Sequence, residues 1–131
     1  MVEKFNQILE IIAKERGTFM LFAIMKMDDF VDKWSVIISA SWLKENDFES
    51  FNYILKRMKG ALNEEENNSI ARIGIFDKHH HLIESLLQYK RGSIIKDQKV
   101  NGNLIHLAYI LESNKETAEE SERNLATKTS I

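Results

Sequence analysis

The chain has 131 residues, of which 44% are apolar, and a formal net charge of −2 at neutral pH. This length fits one domain with its own core, and the near-balance of charge disfavours a dedicated nucleic-acid binder, whose surface is usually basic. Because the sequence contains no cysteine, disulfides, cysteine-containing zinc sites and thiol catalysis are excluded.

The first two predicted elements are a helix and a strongly apolar strand. Residues 2–16 carry apolar side chains at helical spacing, namely Phe5, Ile8, Leu9 and Ile12. Residues 18–27 form a β-prone run whose two faces are both apolar, with Phe19, Leu21, Ala23 and Met25 against Met20, Phe22 and Ile24. We expect this strand to be covered on both sides, by helices or by a partner chain.

A second strand and a second helix follow. Residues 28–33 are predicted to be a polar connection and residues 34–40 a strand with one strongly apolar face. Asn46, with Glu49 three residues on, predicts a capping box at the start of the helix, and Trp42 is interpreted as a hydrophobic staple there. The predicted buried stripe of this helix is Phe48, Phe51, Leu55, Met58 and Leu62.

The second half of the chain predicts a strand, a helix and a hairpin. Residues 64–68 are interpreted as a solvated turn and residues 69–76 as a strand. Asp77 is placed as the N-cap of a third helix with the stripe Leu82, Ile83, Leu86 and Leu87. The pair Asn101-Gly102 between two β-prone runs indicates a type I′ hairpin. That register sets Lys99 across from Leu104 and Asp97 across from His106.

These elements predict an α+β (α/β-like) domain in the order α-β-β-α-β-α-β-β. Three helices would pack on a mixed, roughly five-stranded sheet, with antiparallel pairing in the hairpins and parallel pairing of neighbouring strands across both crossovers. We expect one domain over residues 1–111. Residues 112–131 carry few apolar side chains and are predicted to be a disordered or partly helical tail.

The central segment Trp34-Ser35-Val36-Ile37-Ile38-Ser39-Ala40-Ser41-Trp42-Leu43 resembles a motif of small uncharacterised prokaryotic α+β proteins. In them it has roughly the form W-D-L-V-V-S-A-x-W-L, from which Ser35 and Ser41 depart. The later segment at residues 69–73 resembles the next strand of the same proteins. The resemblance implies a compact α+β domain in a prokaryotic cytoplasm, and it brings no known activity.

A cluster of polar side chains at residues 77–84 is the first candidate site. Asp77, His80 and Glu84 are potential metal ligands, His80 and Glu84 have i, i+4 spacing, and distant His106 would be needed as a further ligand. Three consecutive histidines, His79–His81, cannot converge on one ion, because adjacent helical residues diverge by about 100°. An exposed first helical turn is the favoured interpretation of the cluster, ahead of a metal site, and acid-base use is a third interpretation.

Asp97 and His106 are the second candidate pair. A carboxylate beside an imidazole could form a general base, and it is also ordinary cross-strand decoration of a sheet. No Gly-x-Ser-x-Gly elbow surrounds Ser39 or Ser41. Arg72 is expected either on the solvated face of its strand or buried and paired near Ser39.

The sequence therefore favours a non-catalytic interaction or accessory domain that associates with itself, as a homodimer, or with another protein. The alternative is a small metal-assisted hydrolase or nuclease using Asp77, His80, Glu84 and His106. No cofactor is expected. Nucleic-acid binding by the cationic group Lys90, Arg91, Lys96 and Lys99 is the weaker interpretation, because Asp97 lies among them. No apolar run approaches the roughly 20 residues that span a bilayer and the first residues form no signal core, so we expect a cytoplasmic protein without membrane contact.

Overall fold

The computed structural model describes residues 1–44 and 46–114. The helices in these ranges are α1 (Val2–Glu15), α2 (Phe48–Ala61), α3 (Glu64–Asn68) and α4 (His81–Leu86). The strands are β1 (Leu21–Met27), β2 (Phe30–Ser39), β3 (Ile70–Ile75), β4 (Ile94–Val100) and β5 (Asn103–Ser113). The last strand continues two residues past the expected domain boundary, and the rest of the predicted tail, residues 115–131, lies outside the described residues.

The strands form one mixed sheet in the order β3-β2-β1-β5-β4. The β2–β3 pair is parallel, and the β1–β2, β1–β5 and β4–β5 pairs are antiparallel. The predicted α+β class with a mixed five-stranded sheet is therefore confirmed. The predicted parallel neighbours across the second crossover are wrong, because β1 pairs with β5 and thereby sets β3 and β4 at opposite edges.

The central strand β1 is buried on both faces within one chain. Phe22 and Ile24 belong to the core beneath α1 and α2, whereas Leu21, Ala23 and Met25 belong to the core beneath α4. Phe19 was expected with the second set but packs in the first, with its ring centroid 5.1 Å from that of Phe22. Helices thus supply the cover that the doubly apolar strand requires, and β1 itself leaves no face for a partner chain.

The start of α2 differs from the sequence prediction by one residue. Asp47 is the N-cap, and its Oδ1 accepts the Ser50 backbone N–H at 3.1 Å. The buried face consists of Ser50, Ile54 and Met58. Two residues of the predicted stripe, Met58 and Leu62, are buried as expected. Phe48 is 80% exposed and Phe51 is only half-buried, so the first half of the stripe lies to one side of the contact face. The reason is that α2 turns this side toward the open edge of the sheet at β3.

Residues 64–68, interpreted as a turn, form the short helix α3. Asn63 and Glu66 cap it reciprocally: the side chain of each accepts the backbone N–H of the other, at 2.8 and 2.9 Å. The Lys4 ammonium lies 2.5 Å from Glu66 Oε1 and joins α3 to α1. The Asn-x-x-Glu spacing was the signal for this helix.

The final hairpin follows its predicted register. Lys99 pairs with Leu104, and Asn101 and Gly102 have φ values of 50° and 78°. Positive φ at both central positions is the requirement of a type I′ turn. The Asn-Gly pair therefore set both the turn and the pairing of β4 with β5.

Trp42 packs against the chain that enters β1 and does not staple the start of α2 as expected. Its Nε1 donates to the Thr18 carbonyl at 3.2 Å, and its ring lies 5.4 Å from the ring of Phe19. Gly17, at φ 129°, permits this approach, since a Cβ there would lie 2.9 Å from Trp42 Cδ1.

Candidate functional site

In the predicted metal cluster, the side chains of Asp77 and His80 accept hydrogen bonds from the neighbouring backbone. His80, not Asp77, is the N-cap of α4: its Nδ1 accepts the Leu82 N–H at 3.2 Å. Asp77 Oδ1 accepts the His79 backbone N–H at 2.9 Å within the preceding turn. An N-cap has non-helical backbone geometry, so His80 and Glu84 do not share the helical i, i+4 face that the sequence suggested.

The structure also separates this cluster from His106. The β1–β5 register sets Ile105 opposite Met27, at the end of β1, while Asp77 follows β3 at the opposite end of the sheet, where Ile75 pairs with Ile38. In residues 1–44 and 46–114 no group of three or more His, Asp or Glu side chains could hold a metal ion. The four residues proposed for a metal-assisted hydrolase are therefore not brought together.

The second predicted pair is brought together, with an additional carboxylate. His106 Nδ1 lies 3.8 Å from Asp97 Oδ1 across β4 and β5, as the register predicted. Its Nε2 lies closer, at 2.7 Å, to Oδ1 of Asp28 in the β1–β2 turn. Sequence reasoning missed Asp28, because the β1–β5 pairing that delivers it leaves no local signal. The imidazole bridges two carboxylates that are both more than 60% exposed, an arrangement that ties three strands together.

Arg72 is paired rather than solvated, and its partner is Ser35 rather than Ser39. Its Nε donates to Ser35 Oγ at 2.9 Å, its Nη1 lies 2.8 Å from Asp29 Oδ2, and its guanidinium stands 5.2 Å from the ring centre of Phe30. Ser39 is buried, and its Oγ has no hydrogen-bond partner among the residues that the structure describes. Ser39 therefore lies inside the fold and is not accessible to a substrate as a nucleophile would need to be.

The edge strand β3 offers open backbone groups. Phe76 N donates to the Ile38 carbonyl, so the alternation of a strand points the backbone groups of Gly74 and Arg72 toward β2 as well. The N–H and C=O groups of Ile73 and Ile75 therefore point away from the sheet, and Ala71, at a register shift between Ile70 and Arg72, has no partner residue on β2. In the described chain β3 has one neighbouring strand only, β2, and these outward groups have no strand to bond.

An apolar groove runs along this edge between β3 and α2. One end is about 230 Å³ in volume and the adjoining part about 330 Å³. The apolar lining of the two parts includes Phe48, Phe51, Leu55, Ile73 and Ile75. We call these five residues, with the outward backbone of β3, the β3 edge surface.

The two ends of the groove differ in charge. Asp47 lines the end at the start of α2, and hydrogen bonds from the Ser50 hydroxyl and backbone N–H hold the pKa of its carboxyl below the usual value. Lys59 lines the other end, together with the amides of Asn67 and Asn68. An occupant of the groove therefore meets a carboxylate at one end and an ammonium at the other.

No protein-family model, no curated protein and no solved structure matches this chain at a significant level of similarity. Within the described residues, none of the helices combines the length and apolarity that a membrane crossing requires. The chain's own geometry is therefore the basis for inferring what it does.

Proposed function

We propose that this protein is an interaction domain that binds an extended segment of another polypeptide along β3. The main support is that the unbonded backbone groups of β3 and the apolar side chains that line the groove lie on the same edge of the sheet. A strand added beside β3 would bond the N–H and C=O groups of Ala71, Ile73 and Ile75, which gives affinity, while the groove would receive its alternate side chains, which gives selectivity.

The exposed apolar side chains support this function. Phe48 is 80% exposed at the rim of the groove, in a position where it contributes little to the fold of one chain. Phe51, Ile73 and Ile75 are half-buried along the same line. A contiguous apolar strip of this kind on a small domain is typical of an interface.

The chemistry of β3 itself supports binding rather than solvation. Edge strands that must stay single are usually charged, short, bulged or covered. The segment Ile70-Ala71-Arg72-Ile73-Gly74-Ile75 has one charged side chain, and Arg72 is held by Ser35 and Asp29 on the face of the sheet. Its one irregularity is the register shift between Ile70 and Arg72, and residues 72–75 pair regularly with β2. The rim of the strand is left apolar and able to pair.

Site-specific photo-crosslinking in cells that produce the protein tests the proposal. A photoreactive phenylalanine analogue replaces Phe48 in one variant and Ile94, which is 56% exposed on the opposite edge strand, in the control. We expect position 48 to form a crosslinked product with a polypeptide segment, and position 94 to form none or a different one. Equal products at the two positions, or none at position 48, would overturn the interaction function.

A further inference from the structure

We infer that the polypeptide bound at the β3 edge surface is β3 of a second copy of this chain, in antiparallel register with a two-fold axis through Ile73. This inference rests on the proposed interaction function and names its partner. It converts two five-stranded sheets into one continuous ten-stranded sheet. The five strands of the described residues already form one sheet in each chain, so association needs no rearrangement of that sheet.

The backbone of β3 is self-complementary in this register. Ile73 and Ile75 face outward in the regular part of β3, and Ala71 lies at the register shift between Ile70 and Arg72. The three positions are symmetric about Ile73. In an antiparallel pair, opposed residues that face each other in this way exchange two N–H to O=C bonds, and such pairs recur at every second position. Ile73 would pair with its own copy, and Ala71, at the register shift of the strand, would lie across from Ile75 on each side.

The side chains also agree with the two-fold register. On the α2 face Ile73 meets its own copy, and the small Ala71 meets the large Ile75, which keeps the volume even along the strand. On the opposite face Arg72 lies across from Gly74. The two guanidinium groups are therefore not opposed to each other, and like charges directly across a sheet, which destabilise pairing, are avoided.

The charge of the groove favours a second copy over an unrelated strand. The two-fold axis reverses the direction of the groove, so the end with Asp47 and Phe48 meets the end of the second copy with Leu55 and Lys59. Each carboxylate then faces an ammonium, and each exposed Phe48 ring gains an aliphatic neighbour. A surface whose two ends are complementary to each other is what an isologous dimer requires.

The test measures mass and contact on the purified full chain. Sedimentation equilibrium from low to high micromolar concentration should give the mass of two chains. Phe48→Lys removes the ring and sets a cation beside Lys59 of the second copy, and Lys59→Glu sets a carboxylate beside Asp47 of the second copy. Each variant should raise the dissociation constant at least about tenfold, as loss of one good interface anchor does.

The matched control is Ile94→Lys on β4, which should leave the dissociation constant unchanged. Circular dichroism of each variant at low concentration verifies the fold, and both Phe48 and Lys59 are exposed in one chain, so neither change should unfold it. A mass of one chain at all concentrations would overturn the inference. An equal loss of dimer in Ile94→Lys would also overturn it.

Crosslinking identifies the occupant when isotopically heavy and light chains are mixed and the photoreactive residue is at position 48. Heavy-to-light products that map to residues 55–59 support the second copy. Products within one chain to residues 115–131 would assign the groove to the chain's own C-terminal segment and overturn the inference.

The two proposals fail under different results. If the purified chain is monomeric while position 48 crosslinks another protein in cells, the proposed interaction function is supported and the second copy as partner is overturned. If position 48 gives no product in cells, both fall.

Discussion

The two edge strands of the sheet face solvent with opposite chemistry. β4 presents Lys96, Asp97 and Lys99, all exposed, and Asp97 has a φ of 48°, which interrupts the ladder between the paired positions on either side. Charge and irregular backbone are the devices by which an edge avoids pairing. The one charged side chain of β3, Arg72, is paired with Asp29, and after a register shift between Ile70 and Arg72 the strand pairs regularly with β2 as far as Ile75. The comparison indicates that one edge is protected and the other is open to a partner.

Protection of the β4 edge also explains why cationic side chains lie near the last hairpin. Lys96 and Lys99 lie on the protected edge, with Asp97 between them. Opposite charges therefore alternate along this strand. An alternating edge resists strand pairing, and it lacks the uniform positive field that phosphate binding needs. That nucleic acid is not the partner stays a prediction.

The largest expected effect compares two isoleucines, the buried Ile95 on β4 and the half-buried Ile73 on β3. Ile95, on β4, is 2% exposed, and Ile95→Ala should lower the free energy of unfolding by about 2–5 kcal/mol at every protein concentration. Ile73→Ala, on β3, should have a smaller effect in dilute solution and a larger one at high concentration, because association covers this side chain. Urea denaturation at two protein concentrations measures both. A concentration-independent loss at Ile73 equal to that at Ile95 would remove the distinction.

The asymmetry of the edges was only partly accessible from sequence. The Asn-Gly turn and the alternation of residues 93–111 predicted β4, its register and the facing of Asp97 and His106, because hairpin geometry is local. The position of β3 at an edge was not predicted, since it depends on the long-range pairing of β1 with β5. Once β1 takes the centre, β3 loses the second neighbour that the crossover suggested.

The β3 edge surface was hidden by a plausible helical stripe. Phe48, Phe51 and Leu55 have the spacing of a core face, so the sequence assigned them to the interior with Met58. Periodicity gives the width of an apolar stripe and not its direction. Here Ile54 lies at the centre of the face of α2 that packs on the sheet. Phe48 and Phe51 therefore lie to one side of that face, toward the edge strand β3. The available signal was that Ile54 and the predicted stripe together make the apolar surface of α2 wider than one packed face needs, which indicates that part of it is exposed.

A second test concerns the glycine that shapes the β3 edge. A Cβ at Gly74 would lie 2.6 Å from Cε2 of Phe76 and 3.4 Å from Cδ1 of Ile37, so the bare backbone lets the Phe76 ring fold onto the sheet. Gly74→Val should lower the free energy of unfolding by about 1–3 kcal/mol through overpacking. Thermal or urea denaturation measures the change.

Gly60 provides the control for that variant. It lies within α2, has no atom within 4 Å of a built Cβ, and Gly60→Ala should stabilise the protein by about 0.5–1 kcal/mol through helix propensity and a less flexible unfolded chain. If Gly74→Val is as harmless as Gly60→Ala, then Phe76 does not depend on the glycine and the edge is looser than the contacts indicate.

A third test removes the cation that is held on the face of β3. Arg72→Met keeps an apolar stem but leaves the buried hydroxyl of Ser35 without its 2.9 Å donor. We expect a loss of about 1–3 kcal/mol, the cost of an unsatisfied buried polar group. The double variant Arg72→Met with Ser35→Ala should recover much of it. A double variant no more stable than Arg72→Met alone would show that the guanidinium acts through Asp29 or Phe30 instead.

The smallest expected effect is acid sensitivity at the Asp47 end of the groove. Hydrogen bonds from the Ser50 side chain and backbone lower the pKa of Asp47 in the folded state, so below about pH 4 the unfolded chain takes up this proton first. The stabilisation is complete above the unfolded-state pKa and is lost as the pH falls through the folded-state pKa. Asp47→Asn should therefore flatten the fall of the denaturation midpoint between neutral and acidic pH, whereas Glu49→Gln, an equal loss of charge in the same helical turn, should not.

If the Asp47 carboxylate also faces Lys59 of a second copy, acid should raise the dissociation constant of the dimer over the same pH range in which the stabilisation by Asp47 is lost. The rise should be smaller in Asp47→Asn. An acid response identical in all three proteins would place the sensitivity elsewhere, at the carboxylates of Glu15 or Glu66, whose pKa values are also lowered by hydrogen bonds.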